Sequence, residues 1–179
     1  MEKSDKLILT AGPSITARER LYATDAVLNG WNFHLDDYVV RFEKVLSDYV
    51  GTKHCLGLTK GTHALHLALV LFGVGPGDEV IVPDMTYVAC SNVVEYTGAR
   101  PVFVDIDPVS WCIDPDIIEG AITSRTRAIM PVWMYGSCPR MEEIMDIAKK
   151  YNLLVIEDSC PALGTIYKGK KAGAWGHIG

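Results

Sequence analysis

From residue 55 onward, short apolar runs rich in β-branched residues alternate with segments of helical periodicity, and this alternation leaves few architectures open. The runs are Cys55 to Leu58, Glu79 to Val82, Pro101 to Asp105, Ala128 to Met134 and Leu153 to Glu157. Several are apolar at consecutive positions, as expected of strands covered on both faces. Between them, Ala64, Leu65, Ala68, Leu69 and Phe72 repeat at helical spacing and stop at Gly73. Further helices are predicted over Thr86 to Thr97, after the N-cap pair Asp114-Pro115, and from Pro139 to Tyr151. The expected fold class is α/β, a mixed and mostly parallel sheet with helices on both faces.

Residues 1–54 read differently. Ser14-Ile15-Thr16 ahead of Ala17-Arg18-Glu19-Arg20 predicts a capped helix through Val27 that ends at Asn29-Gly30, and Tyr38 to Tyr49 predicts a second, ended by Gly51. This stretch is a helical lead-in to the sheet, with no internal repeat and no low-complexity linker.

The composition narrows the function classes. The 179 residues carry a net charge of −5 with both signs interspersed, so no basic stripe marks a nucleic-acid partner. Met1 to Lys6 lacks the apolar core of a signal peptide, and the longest apolar stretch, Leu67 to Val74, is too short for a bilayer. A cytoplasmic protein with no membrane partner is expected. Cys55, Cys90, Cys112, Cys138 and Cys160 are odd in number and contain no C-x-x-C pair, which predicts reduced, mostly buried thiols.

Three places carry chemistry. Thr59-Lys60-Gly61-Thr62 joins a predicted strand to a predicted helix, where free N–H groups and a hydroxyl at a helix N-terminus suit a phosphate; Thr62 serving as a plain N-cap is the competing reading. Glu157-Asp158 follows Leu153-Leu154-Val155-Ile156, at the strand end where α/β ligands gather. There Asp158 either meets a protonated ring nitrogen or caps the next segment. Tyr87, after Pro83-Asp84-Met85-Thr86, stands at the same edge as a ring-stacking aromatic or an ordinary core one. Gly73 to Asp78 resembles a nucleotide loop only superficially, because it follows a helix and precedes a strand; it reads as a helix stop and turn. His63 and His66 lack the further ligands of a metal site, and Gly169-Lys170-Lys171-Ala172-Gly173 reads as a charged hairpin turn.

In order along nearly the whole chain, these motifs resemble the DegT/DnrJ/EryC1/StrS family of sugar aminotransferases. The resemblance is carried by Gly30-Trp31, Arg41-Phe42-Glu43, Tyr49-Val50-Gly51, Gly61-Thr62-His63-Ala64-Leu65, Gly77-Asp78-Glu79-Val80-Ile81-Val82-Pro83, Thr86-Tyr87-Val88-Ala89, Gly98 to Asp105, Arg125 to Ile129, Tyr135-Gly136, Glu157-Asp158 and Ala162-Leu163-Gly164 through Gly176. It implies a type I aminotransferase-like large domain, with residues 55–179 as part of a domain that binds pyridoxal 5'-phosphate. It implies phosphate binding by Gly61 and Thr62, ring stacking by Tyr87 and a pyridinium partner in Asp158. It further implies transfer of an amino group from an amino acid, usually glutamate, to a keto-deoxysugar nucleotide, in a homodimer. Pro161 and Trp133 depart from the pattern, standing where the family usually has Gln or His and His.

The same resemblance places the Schiff-base lysine beyond Gly179, so no catalytic residue is assigned and the isolated chain is expected to be inactive. Lys168, Lys170 and Lys171 share a turn of like charge, and Lys60 is nearer the phosphate than the aldehyde. Two alternatives stay open: a sugar 3-dehydratase of the same family, with histidine in place of that lysine, and a non-catalytic dimerisation or binding fragment.

Overall fold

The computed structural model describes Gly12 and Ser14–Gly179. The expectation made for Met1 to Lys6 lies outside those residues.

The first elements of the described residues are two helices, α1 (Ala17–Asn29) and α2 (Asp37–Val50), as the lead-in predicts. Thr16 caps α1: its hydroxyl accepts the Arg18 N–H at 3.2 Å, and its own N–H donates to Glu19 at 2.6 Å. Gly51 ends α2 in the left-handed conformation, φ 91°. The central elements follow: α3 (Gly61–Leu71), β1 (Glu79–Pro83), α4 (Ala89–Tyr96), β2 (Arg100–Val104), α5 (Pro115–Ala121), β3 (Thr126–Ile129), α6 (Met141–Tyr151) and β4 (Leu154–Val155). A hairpin, β5 (Ile166–Tyr167) and β6 (Lys170–Lys171), turns through the charged Lys168-Gly169 pair.

The main sheet runs β2-β1-β3-β4, and every ladder in it is parallel. Alternate side chains of one strand feed two separate cores. Val80 and Val82 of β1, Ala128 of β3 and the following Met130 meet Leu65 and Leu69 of α3 and Val93 of α4. Ile81 and Ile129 point the other way, against Ile118 of α5 and Met141 and Ile144 of α6. All of β1 is buried, which is why its sequence is apolar without alternation. Even Glu79 is buried, and it is matched: Arg125 reaches one carboxylate oxygen with Nε at 3.1 Å and a terminal nitrogen at 2.6 Å, and Thr123 donates to the other at 2.5 Å.

Three sequence expectations are corrected. Cys55 to Leu58 forms no strand: Leu56 and Leu58 are exposed, and the Gly57 N–H donates to the Glu43 side chain of α2 at 2.7 Å in place of a ladder partner. The helix predicted from Thr86 starts at Ala89, leaving Thr86 and Tyr87 in the loop that follows β1. Of the five thiols only Cys90 and Cys112 are fully buried, and Cys160 is exposed.

The connection from β1 to β2 passes through α4 on one face, whereas β2 returns through α5 on the other to place β3 on the far side of β1. The strand order therefore reverses at β1 and β3. Such a reversal opens a crevice beyond the carboxyl ends of the two strands. Asp158 lies at this edge, since its N–H donates to Pro131 O and its carbonyl accepts the Trp133 N–H, each at 3.0 Å, continuing the ladder past β3 and β4.

Candidate cofactor site at the carboxyl edge of the sheet

Asp158 is 7% exposed, a carboxylate close to the interior. Both of its oxygens are engaged by neutral donors. Oδ1 accepts the Cys160 backbone N–H at 3.1 Å, and Oδ2 accepts the Cys90 thiol at 3.2 Å. The first contact is the local cap that the sequence left as one alternative for Asp158. The second crosses from the first turn of α4, and Cys90 Sγ in turn lies 3.5 Å from Thr86 Oγ1. Burial first, and the negative charge of Asp158 second, push the Cys90 thiol up to about 12 and the Cys160 thiol up to about 11. Both therefore remain protonated near neutral pH. No cation of the described residues pairs with Asp158.

The start of α3 meets the same loop. A Cβ on Gly61 would stand 2.7 Å from Cys160 Sγ, so only glycine lets this turn approach the segment after Asp158 without displacing the sulfur. The N-cap of α3 is Lys60, in extended conformation and without a side-chain cap bond. This corrects the reading of Thr62 as an N-cap: Thr62 is the second residue of the helix. The Lys60 carbonyl takes the His63 and Ala64 N–H groups at 3.0 and 3.2 Å. The Gly61 and Thr62 N–H groups have no acceptor among the described residues, and they sit at the positive end of the helix dipole.

Tyr87 is 75% exposed, which removes the core-aromatic alternative; its carbonyl accepts the Cys90 N–H at 3.2 Å, tying it to the turn that carries the Asp158 donor. Gly61, Asp158 and the Thr86-Cys90 turn thus converge, with Tyr87 at the rim. The two histidines are otherwise occupied. His63 Nδ1 lies 2.8 Å from Thr59 Oγ1, and His66 stands edge-on to Tyr96.

Glu157, adjacent in sequence, faces the opposite core. Its carboxylate accepts the Trp133 indole N–H at 2.9 Å and the backbone N–H groups of Gly173 at 3.0 Å, and of Trp175 and Gly176 at 2.6 Å each. Trp133 is fully buried, so its departure from the family pattern is absorbed by the core and by Glu157. Gly176 is pressed against β4, where a Cβ would meet Val155 O at 2.7 Å. This knot holds the chain that follows, and Ile178 pairs with Ile156 in parallel as a further strand position. Sequence reading missed the role of Glu157 and the thiols of Cys90 and Cys160.

The lysines are also placed. Lys168 pairs with Glu142, which raises its pKa; Lys170 lies 4.7 Å from the centre of the Trp175 ring; and Lys171 donates to the Tyr49 carbonyl.

The sequence profile of the DegT/DnrJ/EryC1/StrS aminotransferase family matches residues 13–179. The chain belongs to this family. Among DegT-family relatives, GDP-perosamine synthase of Caulobacter vibrioides is 47% identical over 169 residues, 94% of this chain and 46% of that protein. The aminotransferase from Psychrobacter cryohalolentis superposes with a TM-score of 0.89 at 35% identity, over 94% of this chain and 43% of its own. Spr1654 of Streptococcus pneumoniae, solved in its PLP form, superposes with a TM-score of 0.85 at 34% identity, over 94% of this chain and 47% of its own. The DegT-family chain described here therefore spans less than half the length of these relatives. Their fold is the one expected from sequence, a type I aminotransferase-like α/β domain.

Proposed function

We propose that this chain is the cofactor-holding portion of a nucleotide-sugar aminotransferase, and that it takes pyridoxal 5'-phosphate at the carboxyl edge of its sheet. The observation that carries the reading is Asp158: a nearly buried carboxylate that has two neutral donors and no cation among the described residues, beside a helix N-terminus whose first two N–H groups have no acceptor among them. A buried charge without a counter-charge is costly, and a protonated ring nitrogen supplies one. The residues fit the cofactor at both ends. Gly61 and Thr62 would hold its phosphate through their N–H groups and the Thr62 hydroxyl, Asp158 its ring nitrogen, and Tyr87 a face of the ring.

When bound, pyridoxal phosphate supplies an electron-withdrawing ring that takes up the charge left as an amino acid loses its α-proton. Asp158 keeps the ring nitrogen protonated, which that withdrawal requires. The α3 N-terminus would hold the phosphate and so help to orient the cofactor toward Asp158. Lys168, Lys170 and Lys171 are engaged elsewhere, and Lys60 belongs to the phosphate end, so none of these four serves as the nucleophile.

Two relatives support the substrates proposed for the complete enzyme: the UDP-2-acetamido-2-deoxy-3-oxo-D-glucuronate aminotransferase of Pseudomonas aeruginosa points to a nucleotide-linked keto-sugar, and the 3-oxo-glucose-6-phosphate:glutamate aminotransferase of Bacillus subtilis to an amino-acid donor. No helix of the described residues is long and apolar enough to cross a membrane, and the place of work is proposed to be the cytoplasm. The unit is proposed to be a homodimer. Its contact would involve α1, α2 and the turn between them: the two helices bury a single residue, Ser47, and leave Val39, Phe42 and Val45 exposed, while Trp31 and Phe33 are exposed on the turn, Phe33 at 99%. Residues 1–54 would then be an interface segment and 55–179 the partial cofactor-binding domain.

Equilibrium dialysis of the chain against pyridoxal phosphate and phosphate-free pyridoxal tests the site. Retention that depends on the phosphate and is weakened by Asp158→Ala supports it. Equal retention of both compounds, or retention indifferent to Asp158, rejects it.

A further inference from the structure

Among the described residues, Cys90 is the one side chain that hydrogen-bonds Asp158 from another element, bridging 68 residues of sequence to do so. It lies in the first turn of α4 and is fully buried, so water neither competes for its thiol nor substitutes for it. The bond has a direction. An ionised carboxylate only accepts, so the thiol proton points to Oδ2, and the sulfur is left to accept from Thr86 Oγ1, 3.5 Å away. Thr86, Cys90 and Asp158 thus form a short chain of donors running from the loop after β1 into the carboxylate.

The identity of the donor matters. A lysine or arginine here would neutralise Asp158 and compete with any cationic ring nitrogen. A thiol is neutral and a weak donor, so it restrains the carboxylate plane and leaves most of the negative charge for a ligand. The Cys160 N–H restrains the other oxygen from the opposite side, at 3.1 Å. With one donor on each oxygen, rotation of the carboxylate about its Cβ–Cγ bond breaks at least one contact.

We infer that Cys90 is a positioning residue, which orients Asp158 for a cationic ring nitrogen and is backed in turn by Thr86. This rests on the reading of this edge as a pyridoxal phosphate site. Removing a single donor to a charged acceptor is expected to loosen the ligand roughly three- to tenfold, below the range for hydrogen bonds to charged groups because sulfur donates weakly.

Two measurements test it. The first needs no cofactor: the infrared S–H stretching band of Cys90, isolated as the difference between the wild-type chain and Cys90→Ser, is expected at lower frequency than the same band isolated in an Asp158→Ala background. The second is pyridoxal phosphate retention by Cys90→Ala, expected to fall three- to tenfold, and by Cys90→Ser, which keeps a donor and is expected to stay within about twofold of wild type. Both variants should give the wild-type circular dichroism spectrum. An S–H band indifferent to Asp158, or Cys90→Ser binding as poorly as Cys90→Ala, overturns the inference and leaves the cofactor site standing. Absence of phosphate-dependent retention by the wild-type chain overturns both.

Discussion

The Trp133 indole N–H donates to Glu157 Oε2 at 2.9 Å inside the core, while the carboxylate of the next residue, Asp158, turns to the opposite side to meet Cys90. Two adjacent acids thus do different work because a strand sends successive side chains to opposite faces. Glu157 ties the end of β4 to the turn at Gly173 to Gly176, and Asp158 is left for the edge.

Loss of the Glu157 carboxylate strands four donors at once. Glu157→Ala is expected to destabilise the chain by at least about 3 kcal/mol, and Trp133→Phe, which removes one of the four, by about 1–2 kcal/mol. Urea titration followed by circular dichroism checks both. Equal and small effects would mean that the knot contributes little.

At Gly61 the prediction is steric. Gly61→Ala places a methyl group 2.7 Å from Cys160 Sγ and should weaken pyridoxal phosphate retention severalfold by forcing α3 and the Asp158 loop apart. Cys160→Ala removes the sulfur that this methyl group would strike, so the double variant should recover most of the loss. Additive losses in the two single variants would contradict this account.

Glu79 gives the fold a signature at acid pH. The Thr123 hydroxyl first, and the Arg125 guanidinium second, hold its carboxyl below the usual carboxylate range. A carboxyl depressed in the folded state contributes stability that is fully present above its unfolded value and is lost as pH falls through the folded one. The gap in urea midpoint between wild type and Glu79→Gln should therefore be widest near neutral pH and close below about pH 4. A gap that persists at low pH would place the effect of Glu79 in packing alone.

Borohydride reduction of the 179-residue chain with pyridoxal phosphate, followed by peptide mapping, should yield no single stoichiometric lysine adduct. Lys168 is held by Glu142, Lys171 by the Tyr49 carbonyl and Lys170 over Trp175. A unique adduct on one of them, or on Lys60, together with turnover of an amino donor that Asp158→Ala abolishes, would reveal a substitute nucleophile.

The alternation of strands and helices was legible because β1 and β3 are enclosed on both faces, and such strands must be apolar at consecutive positions. Cys55 to Leu58 has a similar composition but no neighbouring strand; its backbone is met by Glu43, and composition alone does not reveal a missing partner. Asp158 was legible from its place after four apolar residues at a strand end. Cys90 and Cys160 were not, since an isolated cysteine carries no pattern and its role depends on a fold that brings residues 90 and 158 together. The Thr62 cap failed because Lys60 turns the chain with its backbone alone, leaving Thr62 inside the first turn.

The most direct test of the account is a nuclear magnetic resonance titration of the isotope-labelled chain with pyridoxal phosphate and, in parallel, with pyridoxal. With the phosphate present, the Gly61 and Thr62 amide resonances and the Asp158 side-chain carboxyl resonance should shift together, saturating at one concentration. With pyridoxal, the Gly61 and Thr62 shifts should be lost. Shifts confined to lysine-rich surface such as Lys168 to Lys171, with Gly61, Thr62 and Asp158 unmoved, would contradict a cofactor site at this edge of the sheet.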